Sequence, residues 1–142
     1  MTRYVVDASV AVKWYVPEPH SEEALSLLAV ENELATPDLL FAEIGSVLWK
    51  KIRRGELTPE DGQAMFLALC QTPIAVYSSE ELHLAQESLR MATQSGCSFY
   101  DSLYVSLASL LGWPLVTADR RLIEKFSGVG GVAPFISVEE LL

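Results

Sequence analysis

Cysteine, histidine and basic side chains are all scarce in this chain, and each shortage narrows what it can be. Two cysteines, Cys70 and Cys97, and two histidines, His20 and His83, are all that its 142 residues contain. None of the four falls at metal-ligand spacing, which argues against a zinc site. The thiols read as free groups of a reducing compartment, so the expected location is cytoplasmic. Both histidines read as surface or satisfied residues. No apolar run approaches the roughly 20 residues that span a bilayer. Asp7 and Lys13 interrupt the first apolar segment, so neither a signal peptide nor a membrane partner is expected.

Positive charge is the third shortage. Ten Lys and Arg stand against nineteen Asp and Glu, a formal net charge of −9. Phosphate affinity comes largely from Lys and Arg, so the chain as a whole is a poor non-specific nucleic-acid binder. A nucleic-acid role would have to rest on local basic residues, on bound cations, or on both. The acidity also suits a basic protein partner. Repeats, low-complexity tracts and linkers are absent as well, which predicts one domain over residues 1–142. Half of the residues are hydrophobic and 20% are charged, as in a compact folded chain.

What is present is organised around Ser98 to Asp119. Ser98 is a good N-cap with Asp101 three residues on, as in a capping box. Phe99 to Leu111 is almost wholly apolar or small, a helix covered on most sides. Gly112 and Pro114 end it, and Leu115-Val116-Thr117 reads as a short buried strand before Asp119. Each acid has a structural explanation, Asp101 in a first helical turn and Asp119 as the cap of a helix from Arg120 to Phe126. Chemistry enters only if further acids converge on them.

Elsewhere, Tyr4-Val5-Val6-Asp7 reads as a strand ending in an acid, followed by a short helix over Val10–Val16 closed by Pro17. Ser21 is placed to cap a helix running to about Val30, and Glu33–Ala35 is a weak strand. Thr36-Pro37-Asp38 predicts a helix start, with the helix ending near Arg54. Its stripe of Leu40, Ile44, Val47 and Leu48 also carries Glu43, an acid at the edge of the core face. Thr58-Pro59 starts a helix to Cys70, Ile74–Tyr77 is a strand, and Ser79 starts a helix to Gln94 with Leu82, Ala85, Leu89 and Ala92 facing the core. A strand near Ala133–Ile136 and a capping box at Ser137–Glu140 close the chain. Trp14 and Tyr15 read as core or dimer contacts. The cluster Lys50, Lys51, Arg53 and Arg54 suits a helix C-terminus, with RNA binding as the second explanation.

Strands separated by helices predict an α/β sandwich, a parallel sheet with helices on both faces. Ligands of such folds sit beyond the carboxyl ends of the strands at a topological switch point. Asp7 and Asp119 each lie at or just past a strand's carboxyl end, and they meet at that point if those two strands are neighbours. Glu43 and Asp101 could add two carboxylates from neighbouring helices. Four acids in one place cannot all stay ionised without compensation, and an all-oxygen set suits Mg²⁺ or Mn²⁺. Ser9 and Thr117 could support the carboxylates. Such a cation activates water and stabilises charge on a phosphodiester.

Val5-Val6-Asp7-Ala8-Ser9, Glu43 after Thr36-Pro37, Phe99-Tyr100-Asp101-Ser102-Leu103-Tyr104 and Leu115-Val116-Thr117-Ala118-Asp119 together resemble the PIN-domain family. The likeness is to its VapC-type toxins and covers essentially the whole chain. It implies a five-stranded parallel sheet of order 3-2-1-4-5, and a Mg²⁺- or Mn²⁺-dependent endoribonuclease that is homodimeric and inhibited by an antitoxin protein. Asp7, Glu43, Asp101 and Asp119 would be the catalytic and metal-binding acids, with Ser9 and Thr117 supporting. Arg120 and Arg121 could reach RNA phosphates. An aspartate-nucleophile phosphatase or dehalogenase also places an acid after its first strand, but those phosphatases want a second Asp where Ser9 stands. A non-catalytic module on the same fold is the other alternative.

Overall fold

The computed structural model describes residues 2–142. Its centre is a five-stranded, all-parallel sheet of order β3-β2-β1-β4-β5. The strands are β1 (Thr2–Val6), β2 (Asn32–Pro37), β3 (Ala75–Tyr77), β4 (Leu115–Thr117) and β5 (Phe135–Ser137). Val5, Val6, Leu115 and Val116 are completely or almost completely buried, as parallel strands covered on both faces require. β1 and β4 pair with Val5 opposite Leu115 and Val6 opposite Val116. This register sets Asp7 and Thr117, the next residues of each strand, side by side at the carboxyl edge.

Helices α1 (Ala8–Ala11), α2 (Ser21–Leu25), α3 (Leu39–Arg53), α4 (Pro59–Cys70), α5 (Leu84–Ser95), α6 (Phe99–Leu111) and α7 (Arg120–Phe126) surround the sheet. The bounds of α6 match expectation at both ends. Ser98 accepts the Asp101 amide, and Gly112 takes the left-handed conformation (φ 71°) that closes the helix. Trp14 is core, its Nε1 donating to the Ala24 carbonyl, and the half-buried Tyr15 hydroxyl meets Ala68 and Thr72 on and just beyond α4.

Several local expectations give way to tertiary contacts. Thr36-Pro37 does not open α3 but continues β2, because Thr36 donates to the Val6 carbonyl and Pro37 pairs with Tyr77. Proline fits there as the last strand residue, the next amide, Asp38, bonding the Tyr77 carbonyl. Ser21 is not a cap: left-handed His20 occupies that position, α2 ends at Leu25, and Val30 is exposed. The first helix is likewise short, passing into a 3₁₀ turn at Val12–Trp14.

The segment after Ser79 also differs. Leu82 and His83 are left-handed, which delays α5 to Leu84 and turns its face. Leu84, Ser88 and Met91 are the buried residues, whereas Leu82 and Leu89 are exposed, so the stripe expected to face the core does not. Ser88 tolerates burial because its hydroxyl donates to the Leu84 carbonyl at 2.6 Å. At the C-terminus, Ser137 ends β5 and makes no side-chain cap for the 3₁₀ turn Val138–Glu140.

Candidate active site

The carboxyl ends of β1 and β4 carry the core of the site. Asp7 caps α1, its Oδ1 accepting from the Val10 amide at 3.2 Å and from Ser9 Oγ at 2.6 Å. Ser9 Oγ in turn accepts the Ala118 amide at 3.0 Å and lies 3.5 Å from Thr117 Oγ1. Thr117 Oγ1 accepts the Asp119 amide, also at 3.0 Å. The two strand ends are thus stitched together by hydroxyls lying between Asp7 and Asp119. Asp119 caps α7 through its Oδ1, bonded by the Arg121 and Leu122 amides.

The other two acids come from helices. Glu43, partly buried in the second turn of α3, accepts a hydrogen bond from the Tyr104 hydroxyl of α6. Asp101 lies in the first turn of α6, one turn before Tyr104. Burial pushes the Asp7 carboxyl up to about 6, against the lowering effect of Ser9, Thr117 and the Val10 amide, and nearby Glu43 raises it further. Glu43 is raised by burial, opposed by the Tyr104 bond and reinforced by Asp101. Asp101 is raised by burial, opposed by Ser98, reinforced by Asp119 and relieved in part by Lys125. Each acid therefore feels the next one, in the sequence Asp7, Glu43, Asp101, Asp119. Tyr104 is itself raised, first by burial and then by its bond to Glu43, with Asp7 and Asp101 adding to it.

The donors at this edge are oxygen atoms, and mutual repulsion among them is what a hard cation relieves. Among the described residues no three His, Cys, Asp or Glu side chains close into a ligand cage. Oxygen ligands are those that Mg²⁺ and Mn²⁺ take, and Mg²⁺ keeps several waters and uses few direct carboxylates. The donor set and its charge thus fit such an ion.

The remaining expected residues lie at the margin. Arg120 is exposed and ion-paired with Glu139, and Arg121 meets Asp119 through its backbone amide. Two further residues act on these acids, Tyr104, which the sequence places in the Phe99–Tyr104 motif without a role, and Lys125. Tyr104 has a legible signal, one helical turn after Asp101 in a segment short of other polar groups. Lys125 has none, since only the packing of α7 brings it near Asp101.

The sheet order 3-2-1-4-5 is that of a PIN domain, and the PIN-domain family model matches residues 4–128. The chain belongs to the PIN-domain family. It is 36% identical over 124 residues to ribonuclease VapC3 of Pyrobaculum aerophilum, covering 87% of this chain and 95% of that protein. Exonuclease VapC9 of the same organism is 33% identical over 139 residues, 98% of this chain and 92% of its own length. Among solved structures, PAE2754 of P. aerophilum superposes with a TM-score of 0.73 at 28% identity, covering 97% of this chain and 85% of that one. The fold is also that of VapBC2 from Rickettsia felis, solved bound to a DNA fragment from its promoter, with a TM-score of 0.69 at 19% identity over 96% of this chain and 98% of that one.

Proposed function

We propose that this protein is a Mg²⁺- or Mn²⁺-dependent endoribonuclease, the toxin of a toxin–antitoxin pair. The observation that supports it most is the row of acids at the β1–β4 edge, in which Asp7 is raised by Glu43, Glu43 by Asp101 and Asp101 by Asp119. Asp7, Glu43, Asp101 and Asp119 would hold the cation, directly or through water. When bound, it supplies water activation and offsets the charge of the scissile phosphate. Ser9 and Thr117 fix Asp7 and Asp119 relative to each other. Glu43, raised by burial and held by Tyr104, is suited to take a proton from the attacking water. Ser9 occupies the place where an aspartate-nucleophile phosphatase would carry its second acid, and its hydroxyl is already committed to Asp7 and Ala118.

A cognate antitoxin is the proposed protein partner and a homodimer the proposed assembly, in the cytoplasm. Their support is the kinship with VapC proteins, and for location also that no helix among the described residues is long and apolar enough to cross a membrane. The test is cleavage of unstructured RNA, linear and circular, by the wild type and by Asp7→Asn and Asp101→Asn proteins. Cleavage of both substrates, abolished by EDTA and reduced at least about a hundredfold in either variant, is expected. Cleavage of linear RNA only would replace the endonuclease reading with an exonuclease one. Equal activity in wild type and variants would end the proposal.

A further inference from the structure

The protein's cations are unevenly paired. Arg3, Lys13, Arg90 and Arg120 are in ion pairs. Lys50, Lys51, Arg53 and Arg54 are four of the ten Lys and Arg in the chain, and none of them is in a salt bridge among the described residues. They lie in and just after the last turn of α3, where the helix dipole tolerates cations. The dipole does not account for their arrangement around Trp49. That indole is 54% exposed, and the Arg53 guanidinium lies over it with Cζ 5.0 Å from the ring centroid. Trp49, Lys50, Arg53 and Arg54 together line a cavity of about 330 Å³.

The helix connects this cavity to the acids. Lys50 and Arg54 follow Glu43 by seven and eleven residues, so each lies within about 20° of Glu43 around the α3 axis, one on either side. The rise of the helix puts their backbones about 10 and 16 Å beyond that of Glu43. Unpaired cations beside an exposed aromatic ring are the two parts of a single-strand binding surface, the cations for phosphates and the ring for a base. In a protein of net charge −9 such a patch also draws a polyanion to one end of one helix.

We propose that the C-terminal half of α3 is a docking track for single-stranded RNA, with Lys50 and Arg54 contacting phosphates and Trp49 stacking a base displaced from the scissile bond. Arg53 holds the indole in place and flanks the same base. The assignment rests on the ribonuclease reading for the purpose of the track, but not for its measurement. Trp49 stands on the border of the track, since its other side lines an apolar cleft between α3 and α4 with Leu48, Ile52, Phe66 and Leu67, a cleft that none of the four cations lines.

Binding of a fluorescein-labelled, unstructured twelve-nucleotide RNA is measured by anisotropy in the presence of Mg²⁺, in an Asp7→Asn background. Lys50→Gln with Arg54→Gln should weaken it about tenfold or more and flatten the log Kd against log salt slope by about 1.4, two phosphates' worth for a single strand. Trp49→Ala should weaken it about tenfold while Trp49→Phe largely restores it, as stacking requires. All of these side chains are exposed, so circular dichroism melts should match the parent. RNA binding and salt slope unchanged in these variants would overturn the track, even if the wild type cleaves RNA. It would also be overturned if the variants spared RNA but lost an acidic amphipathic Glu/Leu peptide, which would give the surface to a protein partner. Loss of RNA binding alongside a wild type that never cleaves would uphold the track and remove the nuclease reading.

Discussion

Tyr104 of α6 donates its hydroxyl hydrogen to Oε1 of Glu43 on α3, beside Asp7 and Asp101. The two residues are far apart in sequence, and the bond fixes a carboxylate that burial would otherwise push toward its neutral form.

Tyr104→Phe removes that donor and little volume. A hydrogen bond to a charged group in a half-buried place is worth about 1.5–3 kcal/mol, so a loss of that order in stability is expected if Glu43 stays ionised. Loss of the lowering contribution also lets Glu43 hold its proton to higher pH. The acid limb of the cleavage profile should therefore move to higher pH, with the rate near neutrality down about tenfold. An unchanged profile together with an unchanged melting temperature would deny Tyr104 any part in the site.

Asp7→Asn tests the strained acid directly. Its pKa is about 6 in the folded protein against an ordinary 3.8. The folded state thus binds the proton more tightly, and metal-free stability should fall as pH rises through the window from about 4 to 6. That difference corresponds to about 3 kcal/mol as an upper bound, at about 1.36 kcal/mol for each tenfold change in proton affinity. Near pH 7 without metal, the Asp7→Asn protein should be the more stable of the two by up to that amount. Added Mg²⁺ should raise the melting temperature of the wild type and have little effect on the variant. A wild type that is more stable at pH 7 than at pH 5 without metal, with the Asp7→Asn protein following the same curve, would contradict this.

Three of the four acids follow a strong local signal in the sequence, and Glu43 stands out only as a charge on an apolar stripe. Asp7 and Thr117-Ala118-Asp119 close β-rich runs, and Asp101 sits three residues after a serine cap that the structure keeps. The sheet order is legible only through family resemblance, since nothing in five short strands fixes which neighbours pair. What stays hidden is decided by contacts between distant segments. Thr36 and Pro37 have helix-start chemistry, yet pairing with β1 and β3 extends them. The α5 face misleads because a buried serine that satisfies its own helix looks polar, while exposed Leu89 looks like core.

Ser9→Ala should separate support from chemistry. It deletes the 2.6 Å donor to Asp7 and leaves the Ala118 amide without its partner. An amide left unpaired away from water costs about 1–3 kcal/mol, which a urea titration would read as a lower midpoint. Asp7 loses its largest lowering contribution as well, so its pKa should rise above the wild-type value. Ser9→Thr, which keeps the hydroxyl, should recover most of both effects. Failure of that rescue would mean that the small size of residue 9 matters more than its oxygen.

Asp119 performs two tasks that can be divided. Its Oδ1 caps α7 by accepting the Arg121 and Leu122 amides, and its charge raises Asp101. Asparagine is as good an N-cap as aspartate, whereas alanine is not. Asp119→Asn should therefore keep the melting temperature within about a degree or two of wild type while removing most cleavage, at least about tenfold. Asp119→Ala should lose the same activity and, in addition, about 1 kcal/mol of stability from the uncapped helix. In both proteins Asp101 is released from a neighbouring negative charge, so its pKa, followed by carboxyl NMR titration, should fall. If Asp119→Asn cleaves RNA as the wild type does, the residue is a cap alone, and the row of acids ends at Asp101.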